Sequence, residues 1–142
     1  MKQFFHEIIL KTKGQNLYNF TDKTKVWVNN NKFCNGILNI NVLHTSASLI
    51  IQENADPDVL YDLKFFFNKL VPMDNKLYKH TTEGIDDMPA HIKSALTNNQ
   101  LTLSIKDGKI ILGVWQGLYL FEHRLKPQKR TISHHFIGEQ NI

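Results

Sequence analysis

Three histidines stand in segments where an imidazole can be turned toward a shared site. His44 ends an alternating apolar run, Leu38, Ile40 and Val42, so its ring is expected to face the interior. His91 lies three and four residues from Met88 and Ala95 on a short helical stretch, which puts it on the inward flank. His80 precedes that stretch within Tyr78-Lys79-His80-Thr81-Thr82, in a loop or strand end able to approach it. Three protein ligands with a fourth position open is the arrangement of catalytic zinc. Imidazole also suits nickel, copper and iron, so the expectation is a divalent transition metal, zinc foremost, on His44, His80 and His91. An imidazole on an apolar face is equally an ordinary core residue, and that alternative stands at this level.

Around these histidines lie groups suited to phosphate chemistry. Thr45, Ser46 and Ser48 place three hydroxyls beside His44; hydroxyls bind phosphate oxygens or orient water, and they also build ordinary turns. Glu53 is a candidate general base, whereas Asp56 is better explained as a helix cap. Gly113-Val114-Trp115-Gln116-Gly117 sets an indole and an amide between two glycines, either a packed strand bend or a pocket wall for a planar ligand. Arg124 opens a basic cluster with Lys126, Lys129 and Arg130 and can meet an anion. No nucleophile-elbow motif accompanies the serines, which argues against a serine-hydrolase triad.

The elements that must position these groups can be read from periodicity. The alternation from Phe4 to Lys11 predicts an opening strand, and Leu38 to Val42 and Ser48 to Glu53 predict two more. Asp56-Pro57 marks a helix start, followed by Val59, Leu60, Leu63, Phe66, Phe67 and Leu70 at helical spacing. Asp86 and Asp87 start a second, shorter helix that ends at Asn98 and Asn99. Leu101 to Ile105 and Lys109 to Leu112 flank Asp107-Gly108 as a hairpin; strands at Gly117 to His123 and Thr131 to Ile137 follow. Leu17 to Val28 has no clear period, and Asn29 to Lys32 reads as a loop. Strands outnumber helices and no βαβ alternation is visible, so the class is α+β: sheet-rich, mostly antiparallel or mixed strands, with two main helices.

At 142 residues, the chain fits one domain spanning 1–142. With 42% hydrophobic and 11% aromatic residues, it can build a core. Its longest apolar runs fall far short of the roughly 20 residues of a membrane span, and the N-terminus lacks a secretory pattern. A lone Cys34 allows no internal disulfide, so the expected address is cytoplasmic. The net charge of +4 permits an anionic partner without pointing to nucleic acid.

Together these segments resemble the YjbQ-like family (UPF0047). The matching stretches are His44-Thr45-Ser46-Ala47-Ser48, Glu53-Asn54, Glu83-Gly84, Asp87 to Leu96, Gly113 to Gly117, Glu122-His123-Arg124 and Gly138-Glu139. Val114 departs from the threonine usual in that motif, a change that removes a hydroxyl beside the Trp and Gln. The resemblance implies an α+β homotrimer with a histidine metal site, whose histidine positions match His44, His80 and His91. It also implies a secondary thiamine-phosphate synthase activity, joining a pyrimidine pyrophosphate to a thiazole phosphate and releasing pyrophosphate. On that reading Thr45, Ser48, Lys93 and Arg124 are phosphate contacts, Trp115 and Gln116 clamp the ring, and Ser46 and Glu53 are catalytic candidates. The partner expected is a small phosphorylated molecule. The alternatives are a metal-dependent phosphate-ester hydrolase, in which Glu53 assists a bound water, and a non-enzymatic basic module using Arg124 to Arg130.

Overall fold

The chain is described by a computed structural model covering residues 1–141. Alternating apolar side chains build two antiparallel sheets whose inner faces share the core. The larger sheet runs β1 (Lys2–Lys11), β8 (Lys129–Gln140), β3 (Phe33–Val42), β5 (Gln100–Lys106) and β6 (Lys109–Ile110). The smaller runs β2 (Asn16–Asn19), β7 (Gln116–Glu122) and β4 (Ala47–Glu53). Leu38, Ile40, Ile132 and Phe136 from the first sheet and Leu49, Leu118 and Leu120 from the second are fully buried together. Burying each such side chain contributes about 1.5–3 kcal/mol.

Among the described residues three α-helices complete the fold, one more than the periodicity predicts. α1 (Thr21–Asn30) occupies the stretch that shows no clear period, and it carries through Asn29 and Asn30 rather than leaving them in a loop. Only Thr21, Thr24 and Val28 are buried on it, a stripe too narrow and too polar to register as an amphipathic pattern. Tertiary contacts hold it: Thr24 Oγ1 lies 2.8 Å from His134 Nε2, and the Trp27 ring stacks on His6. α2 (Pro57–Leu70) starts as expected, with Asp56 Oδ1 accepting the Asp58 N–H at 2.9 Å. α3 (Asp87–Leu96) follows a turn in which Gly84 has φ +112°, a value that disfavours any side chain, and an added Cβ would meet Asp86 Oδ1 at 2.9 Å. The β5–β6 hairpin turns at Asp107 (φ 50°) and Gly108 (φ 80°), the left-handed pair that a type I′ turn needs. No helix among the described residues is long and apolar enough to cross a membrane.

Several charged and polar groups are buried with this core. Glu122 at the end of β7 and Arg130 at the start of β8 form a buried ion pair, with Nε to Oε1 at 2.8 Å and Nη2 on Oε2. Thr12 donates to Glu122 Oε1 at 2.8 Å, and Arg130 Nη2 donates to Ser46 Oγ at 2.9 Å. His123 and His134 are buried as well. Burial, reinforced by the Lys93 and Arg130 charges, holds His123 down to about 3; burial holds His134 down to about 4.

Two outcomes follow from these buried groups. Glu122→Gln leaves the Arg130 guanidinium buried without its counter-charge, so urea denaturation should show a loss of about 3–5 kcal/mol. Both histidines fold neutral but bind a proton near pH 6.5 when unfolded, so the unfolded chain holds more protons between about pH 4 and 6.5. Stability should therefore fall as pH drops through that window, whose upper part lies above the range where carboxylates titrate. The slope of unfolding free energy against pH should be smaller in His134→Leu than in the wild type.

Candidate metal centre

At the N-terminus of α3, two histidine side chains converge on one carboxylate oxygen. Asp87 and His91 are four residues apart and so share a helix face. His91 Nε2 lies 3.1 Å from Asp87 Oδ2, and His80 Nε2, from the loop before the helix, lies 2.6 Å from the same atom. Glu83 Oε2 stands 2.9 Å from His80 Nε2 on the solvent side. The candidate ligand set is thus His80, Asp87 and His91, whose donor atoms all lie within 4.8 Å of one another.

The ring orientations bear on what belongs between them. His91 Nδ1 lies 3.0 Å from the Thr45 carbonyl oxygen, which can only accept, so Nδ1 carries a proton. In a neutral ring, Nε2 then presents a lone pair to a carboxylate oxygen. Two acceptors facing each other at 3.1 Å repel unless a proton or a cation lies between them. In metal sites a ligating histidine usually donates from its far nitrogen to a backbone carbonyl or carboxylate, which holds the ring in place. Tetrahedral zinc with bonds of about 2.0–2.1 Å sets its donors roughly 3.3 Å apart. The Asp87–His91 pair is close to that spacing, and the His80–Asp87 pair is about 0.7 Å shorter than it.

Charges fix the carboxylate. Asp87 Oδ1 accepts from Arg124 Nη1 at 2.6 Å, leaving Oδ2 as the oxygen offered to the histidines. Arg124 Nε donates to Asp86 Oδ2 at 2.9 Å, and that oxygen also accepts the Leu125 N–H. Burial works against ionising Asp87, but the His80 hydrogen bond and the Arg124 charge outweigh it and lower its pKa. Asp86 is likewise lowered, its burial outweighed by the Leu125 N–H and Arg124. His80 moves the other way: its hydrogen bond to Asp87, opposed by slight desolvation, raises it.

The structure does not bring His44 to this cluster. Its Nε2 accepts the Thr131 N–H at 2.8 Å, which occupies the lone pair, and burial together with the Arg130 charge lowers its pKa. His44 instead lines a groove of about 230 Å³ with Thr45, His91, Ser94, Ala95 and Asn99, beside the His80–Asp87–His91 cluster. Ser46 and Ser48 lie inside the fold, Ser46 on Arg130 and Ser48 Oγ 2.8 Å from His123 Nε2. Lys93 is only 2% exposed; its ammonium donates to Asn68 Oδ1, and burial lowers it to about 8. Both arginines of the basic cluster are engaged internally, Arg124 with Asp86 and Asp87 and Arg130 with Glu122. The exposed cations of that rim are Lys11, Lys13, Lys126 and Lys129, with Lys11 and Lys129 directly opposite each other across β1 and β8.

Glu53, Trp115 and Gln116 stand elsewhere. Register pairs Ala47 with Glu122 at one end of the β4–β7 ribbon and Glu53 with Gln116 at the other. Six strand steps at about 3.3 Å put the two ends roughly 20 Å apart. Trp115 and Gln116 therefore do not face the groove within one chain. Val114 is 78% exposed, and its carbonyl accepts from Asn54 Nδ2, a contact that valine makes as well as threonine. Asp87 is the site residue that sequence reasoning passes over, because an acidic residue at a helix start is explained by the helix alone; its spacing of four from His91 is the signal.

Without metal, His80 should hold its proton to a higher pH than an ordinary imidazole. An NMR titration in chelator should show its midpoint above 6.5, and Asp87→Asn should bring that midpoint down.

Comparison with known proteins agrees with this architecture. The family model described as UPF0047 protein YjbQ-like matches residues 6–139. A UPF0047 protein of Synechocystis is 50% identical over 132 residues, covering 93% of this chain and 90% of the relative. One from Methanocaldococcus jannaschii is 37% identical, covering 99% of this chain and 98% of its own. The crystal structure of a YjbQ/UPF0047 family protein from Clostridium acetobutylicum superposes with a TM-score of 0.85 at 34% identity, covering 93% of this chain and 99% of that one. A YbjQ-like protein of Sulfolobus solfataricus gives 0.88 at 24% identity, over 97% and 99% of the two chains, which concerns the fold alone. On the family match and these identities, the chain belongs to the YjbQ-like UPF0047 family.

Proposed function

We propose that this protein is a metal-dependent enzyme acting on a small phosphorylated substrate, with thiamine-phosphate synthesis the named candidate reaction and a cytoplasmic homotrimer the working form. The observation that carries the reading is the face-off of His91 Nε2 and Asp87 Oδ2 with His80 on the same oxygen, an arrangement that calls for a cation. A divalent metal held by His80, Asp87 and His91, zinc being the best match, would supply Lewis acidity toward a phosphate oxygen or a departing pyrophosphate.

The chain's own residues prepare that site. The Thr45 carbonyl fixes the His91 tautomer, Arg124 fixes the orientation of Asp87, and Gly84 permits the turn that brings His80 over the helix. Lys11 and Lys129 face each other as like charges, a pairing that destabilises the fold unless an anion or solvent screens it. With Lys13 and Lys126 they give the loop beside the site a positive field that draws a phosphorylated ligand. The placement of Trp115 and Gln116 at the far end of the ribbon favours a second reading, a phosphate-ester hydrolase needing no heterocycle clamp.

Elemental analysis of protein purified without tag or chelator should find about one transition metal per chain, lost from folded Asp87→Ala and His91→Ala variants. No uptake after incubation with zinc, nickel or iron would overturn the metal reading. Because the proton on His80 must leave before a metal binds, zinc affinity should rise with pH through and above 6.5, with proton release seen by calorimetry in buffers of different ionisation enthalpy. For the loaded protein, pyrophosphate release that requires the thiazole phosphate supports the synthase, whereas release without that acceptor supports the hydrolase.

A further inference from the structure

A cavity of about 310 Å³ lies between α1 and the β5–β6 hairpin, away from the metal candidate. Its floor is apolar: Val28, which is 1% exposed, and Ile110, which packs on the core. Its rim is cationic. Lys25 and Asn29 are four residues apart on one face of α1, and Lys109 stands on the hairpin beside Gly108. The groove next to His91 includes Asn99, one residue before β5, whereas this cavity takes up the chain at Gly108, two residues after it. The length of β5, at about 3.3 Å per residue, sets the two roughly 20 Å apart.

The walls of the cavity are fixed before any ligand arrives. Gly108 N–H donates to the Cys34 carbonyl and Asp107 N–H to Asn35 Oδ1, each at 2.9 Å, which holds the hairpin turn in place. Asn31 Nδ2 donates to the Trp27 carbonyl at 2.8 Å and closes the end of α1. A preformed pocket loses little ordering entropy on binding. Its charge is one-sided. Segments 21–32 and 106–110 carry five lysines against two aspartates. Among the described residues neither Lys25 nor Lys109 makes an ion pair. Register also sets Lys106 directly opposite Lys109, a like-charge pair that costs stability until an anion neutralises it.

We infer that this cavity is a second ligand site, taking a small phosphate monoester whose apolar body rests on Val28 and Ile110 while its phosphate lies between the Lys25 and Lys109 ammoniums. Lysine binds phosphate as a point charge, and a phosphate monoester carries nearly two negative charges at neutral pH, one for each ammonium. A carboxylate would leave one lysine unmatched, and a nucleic-acid backbone would use the charges without the apolar floor. The Asn29 amide stands on the same rim and can donate to a further phosphate oxygen. No metal enters this site, so it stands or falls separately from the His80–Asp87–His91 centre.

An NMR titration of the metal-free protein, in chelator, with phenylphosphonate tests this; the probe has the charge and the ring but no ester bond to cleave. The amides of Asn29, Gly108, Lys109 and Ile110 should shift and saturate with a Kd below about 1 mM. Lys25→Ala and Lys109→Ala should each weaken binding about tenfold, by loss of a charge-assisted contact. Both side chains are exposed, and Lys109→Ala relieves a like-charge pair, so both variants should fold. Lys106→Ala, outside the cavity lining, should cost less than about threefold. Methylphosphonate, which keeps the charge and loses the ring, should bind about tenfold more weakly than phenylphosphonate. The inference is overturned by an absence of saturation at about 10 mM, or by shifts confined to Thr45 and His91. Equal binding of the two phosphonates, or a Lys106→Ala effect as large as that of Lys109→Ala, would also overturn it by showing a diffuse charged patch. So would a single-stranded oligonucleotide that moves the same amides at lower concentration than phenylphosphonate.

Discussion

The buried pair of Glu122 and Arg130 holds together the part of the molecule where everything else meets. Glu122 ends a strand of the small sheet and Arg130 begins a strand of the large one, so their bond ties the sheets at one edge. Taking both charges out of water costs several kcal/mol, which is offset only because nearly every lone pair and N–H is used. Thr12 and the Arg124 N–H complete the carboxylate, and Ser46 completes the guanidinium. The consequence is a fixed seven-residue connection between the two, and that connection carries Arg124 to Asp86 and Asp87. The geometry of the metal candidate is thus inherited from an ion pair that no ligand touches.

A second constraint is the asymmetry of α3. Its start holds two acidic residues, Asp86 at the N-cap and Asp87 in the first turn, where the helix dipole favours negative charge. Asp86 makes no side-chain cap, however; its carboxylate goes to Arg124 and the Leu125 N–H. The helix start is therefore tethered to the β7–β8 loop, and Asp87 is aimed outward at His80 and His91. Farther along, Ser94 Oγ donates to the Ala47 carbonyl, binding the helix to the edge strand of the small sheet. Rigid attachment at both points is what a site of three ligands from two segments requires, since a metal tolerates little positional error.

Much of this was legible in the residues. The alternation of Leu38, Ile40 and Val42, the Asp56-Pro57 cap and the Asp107-Gly108 turn each encode a local geometry whose cause lies within a few residues, and each appears as expected. Membership of the YjbQ-like family was equally legible, because its motifs are short, ordered and spread along the chain. α1 was not, since its inward stripe is polar and its stability comes from His134, Trp27 and Phe20 making contacts far away in sequence.

The site divides along the same line. Sequence by itself determined that histidines, hydroxyls, an indole and basic residues are present, and that His91 sits on a helix flank with Asp87 one turn earlier. Tertiary structure decided which of them meet. His44 gave its lone pair to a backbone N–H, Lys93, Ser46 and Ser48 went into the interior, and Asp87 took the third place beside His80 and His91. The reason is that side-chain type sets what a group can bond, whereas strand register sets what lies within reach. One register, Ala47 opposite Glu122 and Glu53 opposite Gln116, placed the candidate base and ring clamp a full strand length from the histidines.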